Sequence, residues 1–361
     1  MHNEALRKYG WDAYCESGFG FVWREGLEPG RVLEESRQRF RVYTAAGEIG
    51  AEVSGRFRFK ACARESFPAV GDWVALRPLP GEDRAIIEAV LPRKSQFIRR
   101  AAGKQTEAQV VGANMDWVFV MMSLNQDFNA RRLERYLVLA WESGASPVVI
   151  LSKSDLCNDE GAAVASIRNP TLNVPVHAIS ARTGAGLQEL RRYLAAGKTI
   201  ALLGSSGVGK STLVNAFIGG AFLKTLPIRA HDDRGRHSTT MRQLFLLPGG
   251  ALVLDTPGLR ELQLWEADDG VQMAFEEIEV RASQCRFRDC AHQHEPGCAV
   301  REALADGTLD EKRFESYEKL KREMQRLVLK QDGRAARLER QRWKKVSRLA
   351  QDRALAKREG D

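Results

Sequence analysis

Eight residues, 204–211, constrain this chain more than any other stretch; they read Gly-Ser-Ser-Gly-Val-Gly-Lys-Ser. They match the phosphate-loop pattern G-x-x-x-x-G-K-[ST] at every position. The apolar residues 199–203 predict a buried strand before the loop, and residues 212–217 predict an amphipathic helix after it. In that context the backbone N–H groups of the loop cradle phosphate oxygens at the helix N-terminus. The alternative interpretation is a glycine-rich turn that binds no ligand.

Two side chains of this loop have expected roles. In such loops the ammonium group of Lys210 reaches the β- and γ-phosphates, and the hydroxyl of Ser211 ligates magnesium. The predicted phosphate-binding residues are Gly204, Ser205, Ser206, Gly207, Val208, Gly209, Lys210, Ser211 and Thr212.

On both sides of the loop, apolar segments alternate with amphipathic ones. Residues 130–142 predict a helix, because Leu133, Leu137 and Ala140 fall on one face. Residues 186–194 predict another helix. Hydrophobic strands that alternate with such helices are typical of a parallel, doubly wound sheet. The predicted strands are residues 117–122, 147–151, 174–179, 199–203, 243–247 and 251–254.

Asp255 and Gly258 follow the last of these strands, in the sequence Asp-Thr-Pro-Gly. In phosphate-loop NTPases a carboxylate at this place holds magnesium, and a glycine N–H after it meets the γ-phosphate. An isolated D-x-x-G is also common in turns. Because it follows a phosphate loop by about 45 residues, we predict the magnesium role for Asp255 and the phosphate contact for Gly258.

Ser152, Lys153, Ser154 and Asp155 follow another apolar strand and keep the K-x-D half of the guanine-reading motif N-K-x-D. A carboxylate accepts both N–H donors of guanine's Watson–Crick edge, which adenine does not present. The stem of Lys153 can cover the plane of the base. Ser152 stands where Asn is usual, so one polar support is weaker or different. The alternative is an ordinary βα loop with a helix cap.

Ser180 and Ala181 follow the predicted strand at 174–179 and are similar to the Ser-Ala pair that backs the base in GTPases. The guanine-reading residues thus precede the phosphate loop and Asp255, whereas a common GTPase has the opposite order. Since binding depends on where strands end in space, this circularly permuted order still allows a single site.

Residues 234–240 lie between the phosphate loop and Asp255, where a switch loop with a magnesium-binding threonine is expected. Either Thr239 or Thr240 fits that role. Leu259 occupies the place of the glutamine that orients water in some GTPases. His237 is the nearest polar substitute, as a base or as a residue that positions water. The alternative for His237 is an exposed loop histidine.

A cluster of soft ligands follows, with the spacing C-x₄-C-x-H-x₅-C. Its residues are Cys285, Cys290, His292 and Cys298. Three thiolates and one imidazole suit a tetrahedral structural zinc site with no open position. His294 is an alternative to His292, but the C-x-H spacing places the His292 ring closer to Cys290.

The N-terminal part of the chain has a different pattern. Residues 1–25 are too aromatic for a free tail and are expected to pack on another element. Short alternating segments then predict five strands, at 40–43, 51–53, 56–60, 70–76 and 85–90, which together suggest a small closed barrel such as an OB-fold. In the strand at 56–60, alternation puts Arg56, Arg58 and Lys60 on one face and Phe57 and Phe59 on the other. That cationic face fits an RNA backbone, or it is an ordinary solvated exterior.

The chain has 361 residues and a formal net charge of +8, and the excess lies at its C-terminal end. Residues 311–361 contain 17 Lys and Arg against 9 Asp and Glu, whereas the residues before them carry both signs in equal number. Such a segment favours a polyanionic partner such as nucleic acid; the alternative is a solvated charged helix. Residues 310–329 predict a helix, because Phe314, Tyr317 and Leu320 recur at helical spacing.

No apolar run approaches the ~18–20 residues that span a bilayer. Residues 1–10 also lack the apolar core of a signal peptide. We therefore expect a cytoplasmic protein with no membrane partner.

On these motifs the chain resembles the RsgA family, circularly permuted GTPases that act on the bacterial small ribosomal subunit. The order of the motifs is also similar to that of the family. The matching segments are residues 70–74, 152–155, 204–212, 235–240 and 255–258, together with Cys285, Cys290, His292 and Cys298.

The resemblance implies an OB-fold at residues 26–98, a GTPase domain at 99–268 and a zinc-binding helical domain at 269–330, with an aromatic extension at 1–25 and a basic tail at 331–361. It implies Mg²⁺ with GTP and one zinc per chain. It also implies GTP-dependent binding to the 30S subunit and its 16S rRNA late in assembly, with hydrolysis that the subunit stimulates and that releases the protein. It also places His237 in the switch region that serves catalysis. We expect a monomer that binds GTP and GDP.

Two other functions compete with this interpretation. One is an RNA-binding module whose nucleotide site senses GTP and hydrolyses it very slowly. The other is an ATP-using enzyme, which Lys153 and Asp155 disfavour.

Overall fold

The computed structural model describes residues 4–36, 39–61, 63–100, 108–125, 128–167, 174–219, 242–255 and 268–331. The chain divides into two compact units, Met1–Gln263 with Asp268–Glu276, and Leu264–Ala267 with Glu277–Asp361. No helix among the described residues is both long and apolar enough to cross a membrane.

The N-terminal extension consists of helices α1 (Glu4–Arg7) and α2 (Ala13–Val22) and packs on the barrel. The carboxylate of Asp12 accepts backbone N–H groups at the start of α2 and caps it. Trp11 is buried against Trp73 with ring centroids 4.8 Å apart, and Tyr9 stacks on Tyr43 at 3.9 Å. The rings of Tyr9 and Trp11 therefore belong to the core, and the extension packs on another element as the sequence predicts, whereas Phe21 and Trp23 stay exposed.

Five strands form the barrel. In space they follow the order β1-β2-β3-β5-β4, and β4 returns to pair with β1 and closes the barrel. Val32, Val42, Leu76 and Ile87 are fully buried inside it. The predicted closed barrel is confirmed, although its first strand was not among the predicted ones. The strands are β1 (Glu28–Ser36), β2 (Arg39–Thr44), β3 (Gly47–Val53), β4 (Trp73–Pro78) and β5 (Arg84–Val90).

Residues Gly55–Lys60 form helix α3, so the strand predicted there is wrong. An alternation of five residues fits more than one conformation, and the capping residue decides between them. The Ser54 hydroxyl accepts the N–H of Phe57 at 2.9 Å and so starts a helical turn. Phe57 then turns inward to meet Phe67, with ring centroids 5.9 Å apart, while Phe59 is 92% exposed. The predicted separation of a cationic from an aromatic face is therefore wrong as well.

A hairpin of β6 (Gln96–Arg100) and β7 (Ala108–Ala113) follows the barrel. Next comes the sheet that was predicted from the alternating pattern. Its order is β10-β9-β8-β11-β13-β12, and neighbours from β10 to β13 are parallel. The strands are β8 (Trp117–Ser123), β9 (Ser146–Ser152), β10 (Val176–Ala178), β11 (Thr199–Gly204), β12 (Arg242–Leu246) and β13 (Leu252–Asp255). The helices are α4 (Ala130–Glu142), α5 (Glu160–Ser166), α6 (Leu187–Leu190), α7 (Lys210–Ile218) and α8 (Asp268–Ala274).

Strand β12 departs from the parallel arrangement and runs antiparallel to β13. A short turn joins the two strands, whereas a parallel pair needs a crossover of a dozen or more residues. On its other edge β12 pairs with β1, where Glu34 and Glu35 lie opposite Gln243 and Arg242. The barrel and the mostly parallel sheet therefore form one continuous sheet of 11 strands.

Within residues 268–331, the described part of the C-terminal region, helices α9 (Glu276–Ala282), α10 (Ala299–Ala305) and α11 (Glu311–Gln331) follow one another, and α11 matches the predicted C-terminal helix. The buried Arg313 pairs with Glu277 at 2.7 Å. Tyr317 donates to Glu279 at 2.7 Å. Burial and the neighbouring carboxylate raise the pKa of Tyr317, so the phenol stays protonated as the donor.

Arg31 of β1 is a buried cation at the junction of the extension, the barrel and the mostly parallel sheet. It donates to the carbonyl of Tyr9, to those of Gly71 and Asn114 at 3.3 and 3.1 Å, and to the hydroxyl of Thr199 at 2.9 Å. Burial lowers its pKa to about 10, which still leaves it charged at neutral pH. One side chain thus connects four separate segments of the chain.

Replacing this cation should destabilise the first unit strongly. In Arg31→Leu several buried acceptors lose their donor, which we expect to cost at least about 3 kcal/mol. Arg39→Leu is the matched control, because Arg39 is 82% exposed in a surface ion pair; its cost should stay within about 1 kcal/mol. Urea unfolding followed by fluorescence measures both. Equal losses in the two variants would contradict this role for Arg31.

Candidate nucleotide and metal sites

The phosphate-loop residues connect β11 to α7, as the sequence predicts. Gly204 ends the strand, and a Cβ atom there would lie only 2.6 Å from the carbonyl oxygen of Met121 on β8. Gly207 and Gly209 have φ angles of 73° and 104°, in the left-handed region that favours glycine. The loop therefore needs glycine both for close approach and for its backbone conformation.

Lys210 begins α7 and folds back over the loop. Its ammonium group donates to the carbonyls of Gly204 at 2.8 Å and of Ser205 at 2.6 Å. Ser211 and Thr212 follow in the first turn of the helix. The loop thus presents a cation and the helix N-terminus together, which is an arrangement that attracts anions.

The carboxylate of Asp155 lies where the loops after β9 and β10 meet. It accepts a hydrogen bond from the Ser180 hydroxyl at 2.6 Å, and Arg182 pairs with its other oxygen at 2.7 Å. The Ser180 bond is the main reason why the pKa of Asp155 lies below its ordinary value; the charge of Arg182 adds to the effect. The carboxylate is therefore ionised at neutral pH and can act as an acceptor. Lys153 holds the turn in a left-handed conformation, with φ 60°.

Ser152 connects this loop to the phosphate loop. Its buried hydroxyl donates to the carbonyl of Val208 at 2.6 Å. The sequence left open whether serine supports the site as asparagine does. The structure gives Ser152 a definite contact, a bridge between the end of β9 and the loop after β11.

Asp255 ends β13, which runs parallel to β11 with Leu254 opposite Ala201. It therefore leaves the sheet at the same edge as the phosphate loop. Ser152 ends β9 and Ser180 follows β10, so both leave the same parallel sheet at that edge. Ligands in open α/β sheets bind at the carboxyl ends of the strands. The predicted residues Gly258, His237, Thr239 and Thr240 lie outside the described residues.

The cysteine and histidine cluster comes together in the second unit. The ligand atoms of Cys285, Cys290, His292 and Cys298 all lie within 4.8 Å of one another. The Sγ atoms of Cys285 and Cys298 are 3.8 Å apart, and His292 Nδ1 lies 3.6 and 3.5 Å from them. Tetrahedral zinc with its usual bond lengths separates two sulfurs by about 3.8 Å and sulfur from nitrogen by about 3.5 Å. The donor set therefore fits a tetrahedral metal ion, and His292, not His294, belongs to it.

Glu295 organises the loop that carries His292. Its carboxylate accepts the backbone N–H groups of Ala291, Gln293 and His294 at 3.1, 2.8 and 3.0 Å. The backbone N–H of Glu295 itself, followed by those of Gln293, Ala291 and His294, lowers the pKa of this carboxyl to about 2. These hydrogen bonds also hold the turn in which His292 adopts a φ of 59°. Sequence reasoning missed Glu295, because only its place within the metal-binding segment could have suggested it.

Comparison with known proteins identifies the family. A family model described as RsgA GTPase matches residues 90–265. A protein of Opitutus terrae, named small ribosomal subunit biogenesis GTPase RsgA, is 48% identical over 350 residues, which cover 94% of this chain and 95% of that protein. The chain belongs to the RsgA GTPase family.

A second relative and two solved structures extend this finding. The protein of the same name from Streptomyces coelicolor is 42% identical over 99% of this chain and 97% of its own length. The crystal structure of YjeQ from Thermotoga maritima matches with a TM-score of 0.62 and 31% identity over 81% of this chain and 97% of that one. YloQ, described as a circularly permuted GTPase, has the same fold, with a TM-score of 0.60, 24% identity, and coverage of 84% of this chain and 96% of that one. The chain is thus a GTP-hydrolysing enzyme with a permuted RsgA fold.

Removing the carboxylate of Glu295 should loosen the metal centre. In Glu295→Ala three backbone N–H groups beside His292 lose their acceptor, so metal affinity should fall about tenfold, as for other groups that orient metal ligands. Zinc transfer to a chromophoric chelator measures this. Glu302→Ala, at an exposed position of α10, is the matched control. Identical zinc release from both variants would exclude the orienting role of Glu295.

Proposed function

We propose that this protein hydrolyses GTP as a late assembly factor of the small ribosomal subunit. In this proposal it binds the 30S particle and its 16S rRNA with GTP bound, and hydrolysis releases it. The name of its relatives, small ribosomal subunit biogenesis GTPase, supports the subunit as partner. The observation that carries the nucleotide assignment is the ionised Asp155, oriented by Ser180 beside a complete phosphate loop.

Each predicted residue has a role in this proposal. Asp155 accepts the N–H donors of guanine, and the stem of Lys153 covers the base. Asp255 and Ser211 hold Mg²⁺ together with Thr239 or Thr240, and His237 orients water or accepts its proton. Gly258 meets the γ-phosphate. The base is supported by Ser152, Ser154, Ser180 and Ala181. The other phosphate contacts come from the phosphate loop, through Gly204, Ser205, Ser206, Gly207, Val208, Gly209, Lys210 and Thr212.

The Cys₃His cluster would hold one zinc ion per chain. Three thiolates and one imidazole leave no open coordination position, so the ion would supply folding energy to the second unit and no catalysis. We further propose that the protein acts as a cytoplasmic monomer, in keeping with a partner that is itself a ribosomal particle.

The test is steady-state hydrolysis with and without small ribosomal subunits. Wild-type protein should hydrolyse GTP slowly alone and at least about tenfold faster with subunits, whereas ATP should not be turned over. Asp155→Asn should hydrolyse GTP less well and xanthosine triphosphate better. A site whose polar groups pair with guanine rejects a base that leaves those groups without hydrogen bonds. Glu160→Gln is the matched control, since it removes one carboxylate at an exposed position of α5.

Two results would contradict the proposal. If subunits do not stimulate hydrolysis, the result would support the alternative function, an RNA-binding module that senses GTP and hydrolyses it slowly. Unchanged GTP use by Asp155→Asn would remove Asp155 from the base site.

A further inference from the structure

A cleft lies between the N-terminal extension and the barrel, away from the phosphate loop. Its volume is about 1030 Å³. Helix α2 contributes Gly18 and Phe21 to one wall, while α3 contributes Arg56 and Phe57. The ends of β4 and β5 complete the lining. None of the described lining residues belongs to β1, β2 or β3, so the cleft is distinct from the face of strands 2 and 3 with which OB-folds ordinarily bind oligonucleotides.

The lining is rich in arginine. Arg77 pairs with Glu88 at 3.7 Å, and Arg93 forms a buried pair with Asp72. Arg24 and Arg56 are exposed, and neither side chain has a partner among the described residues. The cleft therefore offers two cations to a ligand and would attract an anionic one.

An exposed aromatic ring stands beside these cations. Phe21 on α2 is 85% exposed, and Trp23 at the end of the same helix is 60% exposed. By contrast, the rings of Tyr9 and Trp11 are buried, Phe19 is half-buried, and Tyr14 is 45% exposed. An exposed phenyl ring lacks the stabilisation that burial of its apolar surface would give. A ring that a helix presents to a cationic cleft can gain that burial by stacking on a flat group of a partner.

We propose that this cleft binds unpaired nucleotides of an RNA strand. A base stacks on Phe21, and Arg24 and Arg56 contact the flanking phosphates. A cationic groove with an aromatic ring on which a base can stack is how proteins hold single-stranded nucleic acid without reading its sequence. The inference extends the proposed function, since the rRNA of a small subunit would supply such a strand. It assigns the aromatic extension a role in binding beyond its packing on the barrel.

The experiment measures the affinity of the full-length protein for a short, fluorescently labelled single-stranded RNA by anisotropy at one fixed salt concentration. Phe21→Ala should weaken binding about tenfold, within the range of a lost base stack. Phe59→Ala is its matched control, an equally exposed ring on α3 outside the cleft lining. Arg56→Ala should weaken binding and reduce the salt dependence. Arg58→Ala, on the same helix but outside the lining, should do neither.

A second probe isolates stacking. With an oligonucleotide of the same length that lacks bases, wild type and Phe21→Ala should bind equally, while Arg56→Ala should still bind more weakly. Thermal unfolding checks that the variants are folded, and Phe21→Tyr, which keeps the ring, should restore affinity.

Two outcomes would overturn the inference. One is an equal loss in Phe21→Ala and Phe59→Ala, which would indicate a non-specific surface. The other is unchanged RNA affinity with weaker binding to whole subunits, which would indicate a protein in the cleft. Because the RNA assay needs neither GTP nor subunits, its result stands apart from the hydrolysis test.

Discussion

The hydrogen bond from Ser152 to the carbonyl of Val208 joins the two halves of the nucleotide site. Ser152 ends β9 and Val208 lies in the loop after β11, with β8 between the two strands in the sheet. The bond crosses that gap and fixes the loop after β9, which we propose reads guanine, relative to the phosphate loop. The permuted order of the motifs along the chain is therefore compatible with one site, because the sheet and this bond set their positions in space.

The same sheet connects the nucleotide site to the barrel. Strand β12 pairs with β13, which ends at Asp255, and on its other edge with β1 of the barrel. Arg31, on β1, binds Thr199 at the start of β11. The backbone hydrogen bonds of β12 and the side chain of Arg31 thus fix the barrel relative to the strand that leads into the phosphate loop. The RNA-binding cleft that we propose belongs to the same unit as the site of GTP hydrolysis.

Local patterns predicted much of this structure, and non-local contacts explain the rest. Helix α4 and the strands of the parallel sheet follow from periodicity, and the phosphate loop and metal cluster follow from fixed spacings. Helix α3 was mistaken for a strand because Ser54, a single capping residue, outweighs a short alternation. The roles of Arg31 and Glu295 depend on partners that no local pattern reveals, since Arg31 binds residues up to 168 positions away.

The central claim, that one guanine nucleotide binds across both loops, depends on the Ser152 bridge. The most direct test is calorimetric titration of GDP into wild type, Ser152→Ala and Ser152→Asn. The account predicts that wild type binds one GDP per chain. In Ser152→Ala the affinity for GDP should fall about fivefold to tenfold, because one buried hydrogen bond is lost. Ser152→Asn should keep most of the wild-type affinity, because its amide can donate in place of the hydroxyl. Wild-type affinity for GDP in Ser152→Ala would contradict it.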